Sequence, residues 1–139
     1  MLRWPEGHDD ARYTGLRCPP ECRGLTARAA TVVAPSTWME SFGLAVVEAM
    51  APTVPVVTAA HGTLVEFVHV PVTGLLQRPG DVASLAEHLR QVLDDGERNH
   101  QLGATAHHCY EARFTREVRL AALVAGYGAA IAGRLCESI

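Results

Sequence analysis

Apolar residues along the chain gather in short runs parted by turn residues, and two spacings alternate. Thr31-Val32-Val33-Ala34 is a β-branched run stopped by Pro35 and reads as a buried strand. Val54-Pro55-Val56-Val57-Thr58 is a second such run, and its internal proline assigns it to a strand start or a sheet edge. Thr73-Gly74-Leu75-Leu76-Gln77 is a third. Helical spacing fills the gaps. Pro20 to Arg28 predicts one short helix, Phe42 to Ala51 a second closed by Pro52, and Leu64 to Val70 a third. After the turn Pro79-Gly80-Asp81, with Asp81 as N-cap, Leu85, Leu89, Val92 and Leu93 form a helical stripe to about Asp94. Asp95-Gly96 interrupts it, and a helix over 97–113 follows. Thr115 caps a long last helix on which Val118, Leu120, Ala121, Leu123, Val124, Tyr127 and Ile131 recur; that stripe reads as core or as an interface.

Short apolar strands alternating with helices imply an α/β fold with a parallel sheet covered on both faces. Residues 1–23 read as an irregular N-terminal segment, interrupted by Pro5, Gly7, Gly15, Pro19 and Pro20, and residues 24–139 as the folded unit, ending in C-terminal helices. No internal repeat or Pro/Gly-rich linker divides that unit.

Composition narrows the function classes. The chain has 139 residues, room for one core, and a formal net charge of -3 with no basic cluster, which argues against nucleic acid as a partner. No apolar run approaches the ~20 residues of a membrane span. The first ten residues lack the apolar core of a signal peptide, so the default expectation is a cytoplasmic protein whose Cys18, Cys22, Cys109 and Cys136 are thiols. Cys18 and Cys22, joined by His107, His108 or Cys109, have the elements of a metal site. The prolines between the two cysteines already explain a turn, so this reading stays secondary.

The chemistry lies between the first two strands. From Arg28 to Glu66 only Glu40 and Glu48 carry charge among the intervening residues. A carboxylate in so apolar a segment needs a hydrogen-bonding partner or solvent. If the helix begins near Gly43, Glu40 lies in the loop before it and Glu48 two turns inside it. The N–H groups of Phe42, Gly43, Leu44 and Ala45 then fall between the two acids. A helix N-terminus after a strand and a glycine suits phosphate. A ligand with a central diphosphate and a hydroxyl-rich ring at each end, such as a nucleotide sugar, fits that layout. Taken singly, Glu48 is also what the wet face of a helix carries, and Glu40 what the dipole at a helix start favours.

Pro35-Ser36 through Glu48-Ala49-Met50-Ala51, then Val54-Pro55-Val56-Val57, resembles the donor-site signature of retaining glycosyltransferases of family 4, which have the GT-B architecture. The likeness continues through Gly62 to Glu66, Thr73-Gly74-Leu75-Leu76, the helix after Pro79-Gly80-Asp81 and the Phe114-Thr115 entry to the last helix, about residues 24 to 133. The resemblance implies a partial Rossmann-like donor-binding half. In it Glu40 contacts hydroxyls of the transferred sugar, Glu48 binds the ribose, and the N–H groups of Gly43, Leu44 and Ala45 hold the diphosphate, with no metal or other cofactor. His61, in the loop after the second strand, is a weaker sugar or phosphate contact; a solvated loop histidine is the simpler reading, and Gly62 follows it. Glu66 reads as support for that loop, Trp38 as packing, and His107-His108 as a wet helix face.

The chain also departs from that pattern. The family's N-terminal, acceptor-binding domain is not encoded here, nor the first part of the donor domain with its diphosphate-binding Arg and Lys. Arg3, Arg12, Arg17 and Arg23 stand in another context, and there is no lysine. Pro52-Thr53, Gly62-Thr63 and Val70-Pro71 replace glycine-containing turns. The expectation is therefore a donor half that is not competent alone. It would be completed by a second chain or a missing N-terminal domain, with an open sheet edge that favours a homo-oligomer. The alternative is a non-catalytic module acting through protein contacts.

Overall fold

A computed structural model describes residues 10–133. The reading of residues 1–9 and Cys136 lie outside the described residues. The elements run α1 (Pro19–Thr26), β1 (Val32–Ala34), α2 (Leu44–Met50), β2 (Val56–Ala59), α3 (Leu64–Phe67), β3 (Gly74–Gln77), α4 (Val82–Asp94), α5 (Gly96–Arg113) and α6 (Arg116–Ile131). The strands form one parallel sheet in the order β1-β2-β3, with Val32 opposite Val56 and Val56 opposite Gly74.

The alternation of a strand's side chains explains the layers. On β2, Val56 joins a core with Val46, Met50, Leu64, Phe67 and Ala106, under α2, α3 and α5. Its neighbour Val57 faces the other way, onto Leu75, Val92 and Leu102, under α4 and α5. The sheet is thus covered on both faces at β2 and β3, as the apolar runs predict.

Three expectations need correction. The run at Val32–Ala34 is an edge strand, not a buried one: Val33 keeps 37% of its surface because it belongs to neither core, and no strand among the described residues pairs with the outer side of β1. Pro55 lies just before β2, which is the central strand; its carbonyl accepts the Val32 N–H at 3.0 Å and the Thr31 hydroxyl at 3.0 Å. So the start-of-strand reading of that proline holds and the edge reading fails. The third correction concerns α6, which buries none of its residues; Leu120, Leu123, Val124, Tyr127 and Ile131 all face solvent. Its stripe is a bare surface rather than core.

Helix ends follow local chemistry. Asp81 caps α4 by accepting the Ser84 N–H at 2.9 Å, and Asp95 caps α5 by accepting that of Arg98 at 3.0 Å. The Asp95-Gly96 break is therefore a cap shared between two nearly continuous helices. Gly103 is where α5 crosses the turn after α2: a Cβ there would collide with the Thr53 carbonyl. Phe42, Phe67 and Phe114 meet edge to face, with ring centroids 4.9 to 6.4 Å apart. The Arg119 guanidinium lies 5.6 Å from the Phe42 ring centre, tying the start of α6 to the loop before α2.

Candidate functional site

Two loops leave the C-terminal edge of the sheet side by side, because β1 and β2 are parallel neighbours. Ligands of parallel α/β sheets bind at this edge. The first loop, residues 35–43, carries Glu40; the second, residues 60–63, carries His61 and Gly62. Below them, the Thr58 hydroxyl donates to the Ala34 carbonyl at 2.9 Å.

The loops are joined through main chain. The Glu40 carbonyl accepts the Thr63 N–H at 3.4 Å and the Thr63 hydroxyl at 3.3 Å. Gly62 has φ +59°, and a Cβ on it would lie 2.6 Å from the Glu40 carbonyl oxygen. Only glycine lets the second loop press against Glu40 in this way. His61 Nε2 is 2.7 Å from the Ser36 carbonyl. A carbonyl only accepts, so Nε2 donates, and Nδ1 is buried without a partner. His61 is half-buried and acts as a tether between the loops, not as the solvated side chain expected.

Gly43 is the N-cap of α2, left-handed at φ +74° and buried. A Cβ on Gly43 would meet Leu64 Cδ2 at 2.5 Å, so the end of that buried side chain would have to shift. The helix thus begins at Leu44, two residues later than the apolar spacing indicates, because Gly43 turns the chain. Val46 and Val47 both donate to the Gly43 carbonyl, at 3.0 and 3.3 Å. The earlier N–H groups, through Ala45, are the ones a helix start leaves without an intrahelical acceptor. Leu44 and Ala45 are exposed, whereas Phe42 is half-buried in the aromatic cluster and plays a packing role.

Glu48 is exposed on α2. It lines a cavity of about 280 Å³ with Ala51 and Pro52 beyond it, Arg23 of α1 and Ala27, the C-cap of α1. Glu40 is not among the walls of that cavity. The structure therefore brings Glu40, Gly62 and His61 into one cluster at the start of α2 and sets Glu48 further along the helix, in a hollow that none of those three lines.

Other expectations resolve differently. Trp38 is 83% exposed, so it does not pack. Glu66 supports its loop through main chain: its N–H donates to the Thr63 carbonyl at 3.1 Å and its carbonyl accepts Arg113 Nη1 at 3.1 Å. His107 is half-buried, with Nδ1 3.3 Å from the Met50 carbonyl; only His108 is wet. Cys18 and Cys22 are exposed, and no group of three or more metal-ligating side chains converges among the described residues. Glu21 closes a capping box on α1, and the Cys18 N–H, assisted by Arg17, holds its carboxyl below the usual carboxylate range. Sequence reasoning did not place Arg23 and Ala27 at the site. Both fall within the short helix that the sequence predicts over Pro20 to Arg28, which was the available signal.

A three-stranded parallel sheet flanked by helices, with two glycine-bearing loops at its C-terminal edge and Glu40 on the first of them, defines a Rossmann-like α/β domain. Comparison with known proteins sharpens this. The model of the family described as glycosyl transferases group 1 matches residues 9–108, and the chain belongs to that family. It is 40% identical over 88 residues to the D-inositol 3-phosphate glycosyltransferase of Nocardia farcinica, covering 63% of this chain and 20% of the relative. It is 40% identical over 117 residues to the enzyme of that name from Mycolicibacterium vanbaalenii, covering 82% and 25%. The chain thus spans a fifth to a quarter of the length of these relatives. Among solved structures, Anabaena HepE in complex with UDP and glucose superposes with a TM-score of 0.75 at 28% identity, over 84% of this chain and 32% of that one. The HepE complex with UDP-glucose gives 0.63 at 33% identity, over 65% and 25%. The architecture is that of GT-B glycosyltransferases. No helix among the described residues is long and apolar enough to cross a membrane.

Proposed function

We propose that this chain is the nucleotide-sugar-binding half of a retaining family 4 glycosyltransferase that transfers a hexose to an acceptor held elsewhere. The observation that carries the reading is the clasp of Gly62 and Thr63 on the Glu40 main chain, which fixes that acid beside the start of α2. In this reading Glu40 accepts hydrogen bonds from the hydroxyls of the sugar, and Gly62 and His61 hold it in place. The N–H groups of Gly43, Leu44 and Ala45 stabilise the diphosphate as it leaves, aided by fixed dipoles rather than a metal or other cofactor. Glu48 takes the ribose hydroxyls. HepE, a solved relative, binds UDP-glucose, which supports this class of donor.

Transfer needs both substrates held together. The acceptor side falls to another chain or an N-terminal domain, and the workplace is the cytoplasm. A second reading, a non-catalytic module working through protein contacts or self-association, draws on the bare apolar face of α6. Titration of a panel of nucleotide sugars into this chain and its Glu48→Ala variant separates the two. Binding that vanishes in the variant supports the donor site; a chain that binds none of them supports the second reading.

A further inference from the structure

Three arginines that stand apart in the sequence meet around one hollow. Arg12 and Arg17, from the segment before α1, and Arg28, just beyond it, line a cavity of about 520 Å³ together with Pro20 and Leu25 of α1. Their wide spacing along the chain hides the cluster from a search for basic runs. Among the described residues, Glu21 is the one acid on these walls, and its carboxylate is already committed. One oxygen accepts the Cys18 N–H at 3.0 Å, and the other lies 3.5 Å from Arg17 Nη1. Arg12 and Arg28 make no ion pair within 4.0 Å among the described residues. Three guanidiniums against one carboxylate leave the walls positive, on a chain whose formal net charge is -3. A hollow of one sign concentrates ions of the other.

Gly24 is a second, independent observation. It stands inside α1 and on the wall of the hollow, and a Cβ built on it would have nothing within 4 Å. A glycine inside a helix costs about 1 kcal/mol relative to alanine. At Gly103 close packing accounts for that cost; at Gly24 no neighbour demands it. What the missing side chain does here is keep the hollow open.

The wall chemistry selects the ligand. Guanidinium forks match the oxygens of a phosphate, and a phosphate monoester carries close to two negative charges at neutral pH, where a carboxylate carries one. Pro20 and Leu25, the latter 45% exposed, offer apolar surface to whatever the phosphate is attached to. None of these residues lines the Glu48 hollow, and none belongs to the loops of Glu40 and His61.

We infer that this hollow is a binding site for a small phosphate monoester, with the phosphate held by Arg12 and Arg28 and the carbon part laid on Leu25 and Pro20. The site is separate from the donor site proposed above and does not depend on it.

The test is an amide NMR titration of the full chain with phenyl phosphate and with inorganic phosphate at fixed ionic strength. Saturable shifts are expected at residues 12–28, with phenyl phosphate bound roughly fivefold more tightly through partial burial of its ring. Arg12→Gln and Arg28→Gln should each weaken binding about fivefold, the worth of one exposed charge contact. Arg90→Gln, which removes the same charge from α4, should change it by less than about twofold. Gly24→Leu keeps every arginine but fills the hollow; with helical content retained by circular dichroism, it should abolish saturation. Absence of saturable shifts at residues 12–28 overturns the inference, as do equal losses in Arg90→Gln and Arg28→Gln, or undiminished binding in Gly24→Leu. Inorganic phosphate bound as tightly as phenyl phosphate overturns the ester as its ligand. Shifts confined to Gly43, Leu44 and Ala45 overturn this site while supporting the donor-site reading.

Discussion

Gly62 and Gly80 both have positive φ, +59° and +78°, yet they answer to different constraints. Gly80 has nothing within 4 Å of an added Cβ, whereas at Gly62 the Glu40 carbonyl oxygen stands 2.6 Å away. Gly80→Ala should cost only the left-handed conformation, about 1 kcal/mol. Gly62→Ala should cost that plus the displacement of the Glu40 loop, about 2–4 kcal/mol in all, measured by urea unfolding. Equal losses at the two sites would mean that the loops are not clasped. The sequence motif named Glu40, Gly43 and Gly62 separately. Their joining was not legible, because the contacts run through main-chain carbonyls, which carry no side-chain signature. Trp38 and His61 exchanged expected roles for a related reason: a tether to the Ser36 carbonyl is invisible in a pattern of side chains.

At the scale of elements, caps and crossings were legible to different degrees. Asp81 and Thr115 occupy the N-cap positions that the polar-to-apolar switch predicts. Gly103, inside a helix, carried no sequence signal, yet it lets α5 pack on the Thr53 carbonyl. Gly103→Val should destabilise the chain severely, by about 3 kcal/mol or more, visible as a collapse of the thermal transition, while the helical Gly126→Ala should be neutral or mildly stabilising. Glu21 gives α1 a pH dependence. Its carboxyl titrates lower in the folded chain than in the unfolded one, so its contribution is complete above the unfolded value and fades as pH falls through the folded one. Acid titration of α1 amide shifts should show this fading, and Glu21→Gln should remove it. A dependence that persists in the variant would assign it to another group.

For the whole molecule, alternation of strands and helices conveyed the α/β class, the parallel sheet and the two covered faces. It did not convey which apolar faces stay bare. Val33 and the stripe of α6 look like core by spacing, but burial depends on a partner that period alone cannot name. Leu123→Gln on α6 should therefore change unfolding free energy by less than about 0.5 kcal/mol, against about 2–5 kcal/mol for Met50→Ala in the core. Comparable losses would show that α6 is packed.

The placement of the two acids ranks above these in consequence. Titration calorimetry of UDP and UDP-glucose against the chain, Glu40→Gln and Glu48→Gln tests it directly. Glu48→Gln should weaken both ligands about tenfold or more, since each carries the ribose, and Glu40→Gln should weaken UDP-glucose alone. Equal effects of Glu40→Gln on both ligands, or no effect of either substitution, would contradict the account.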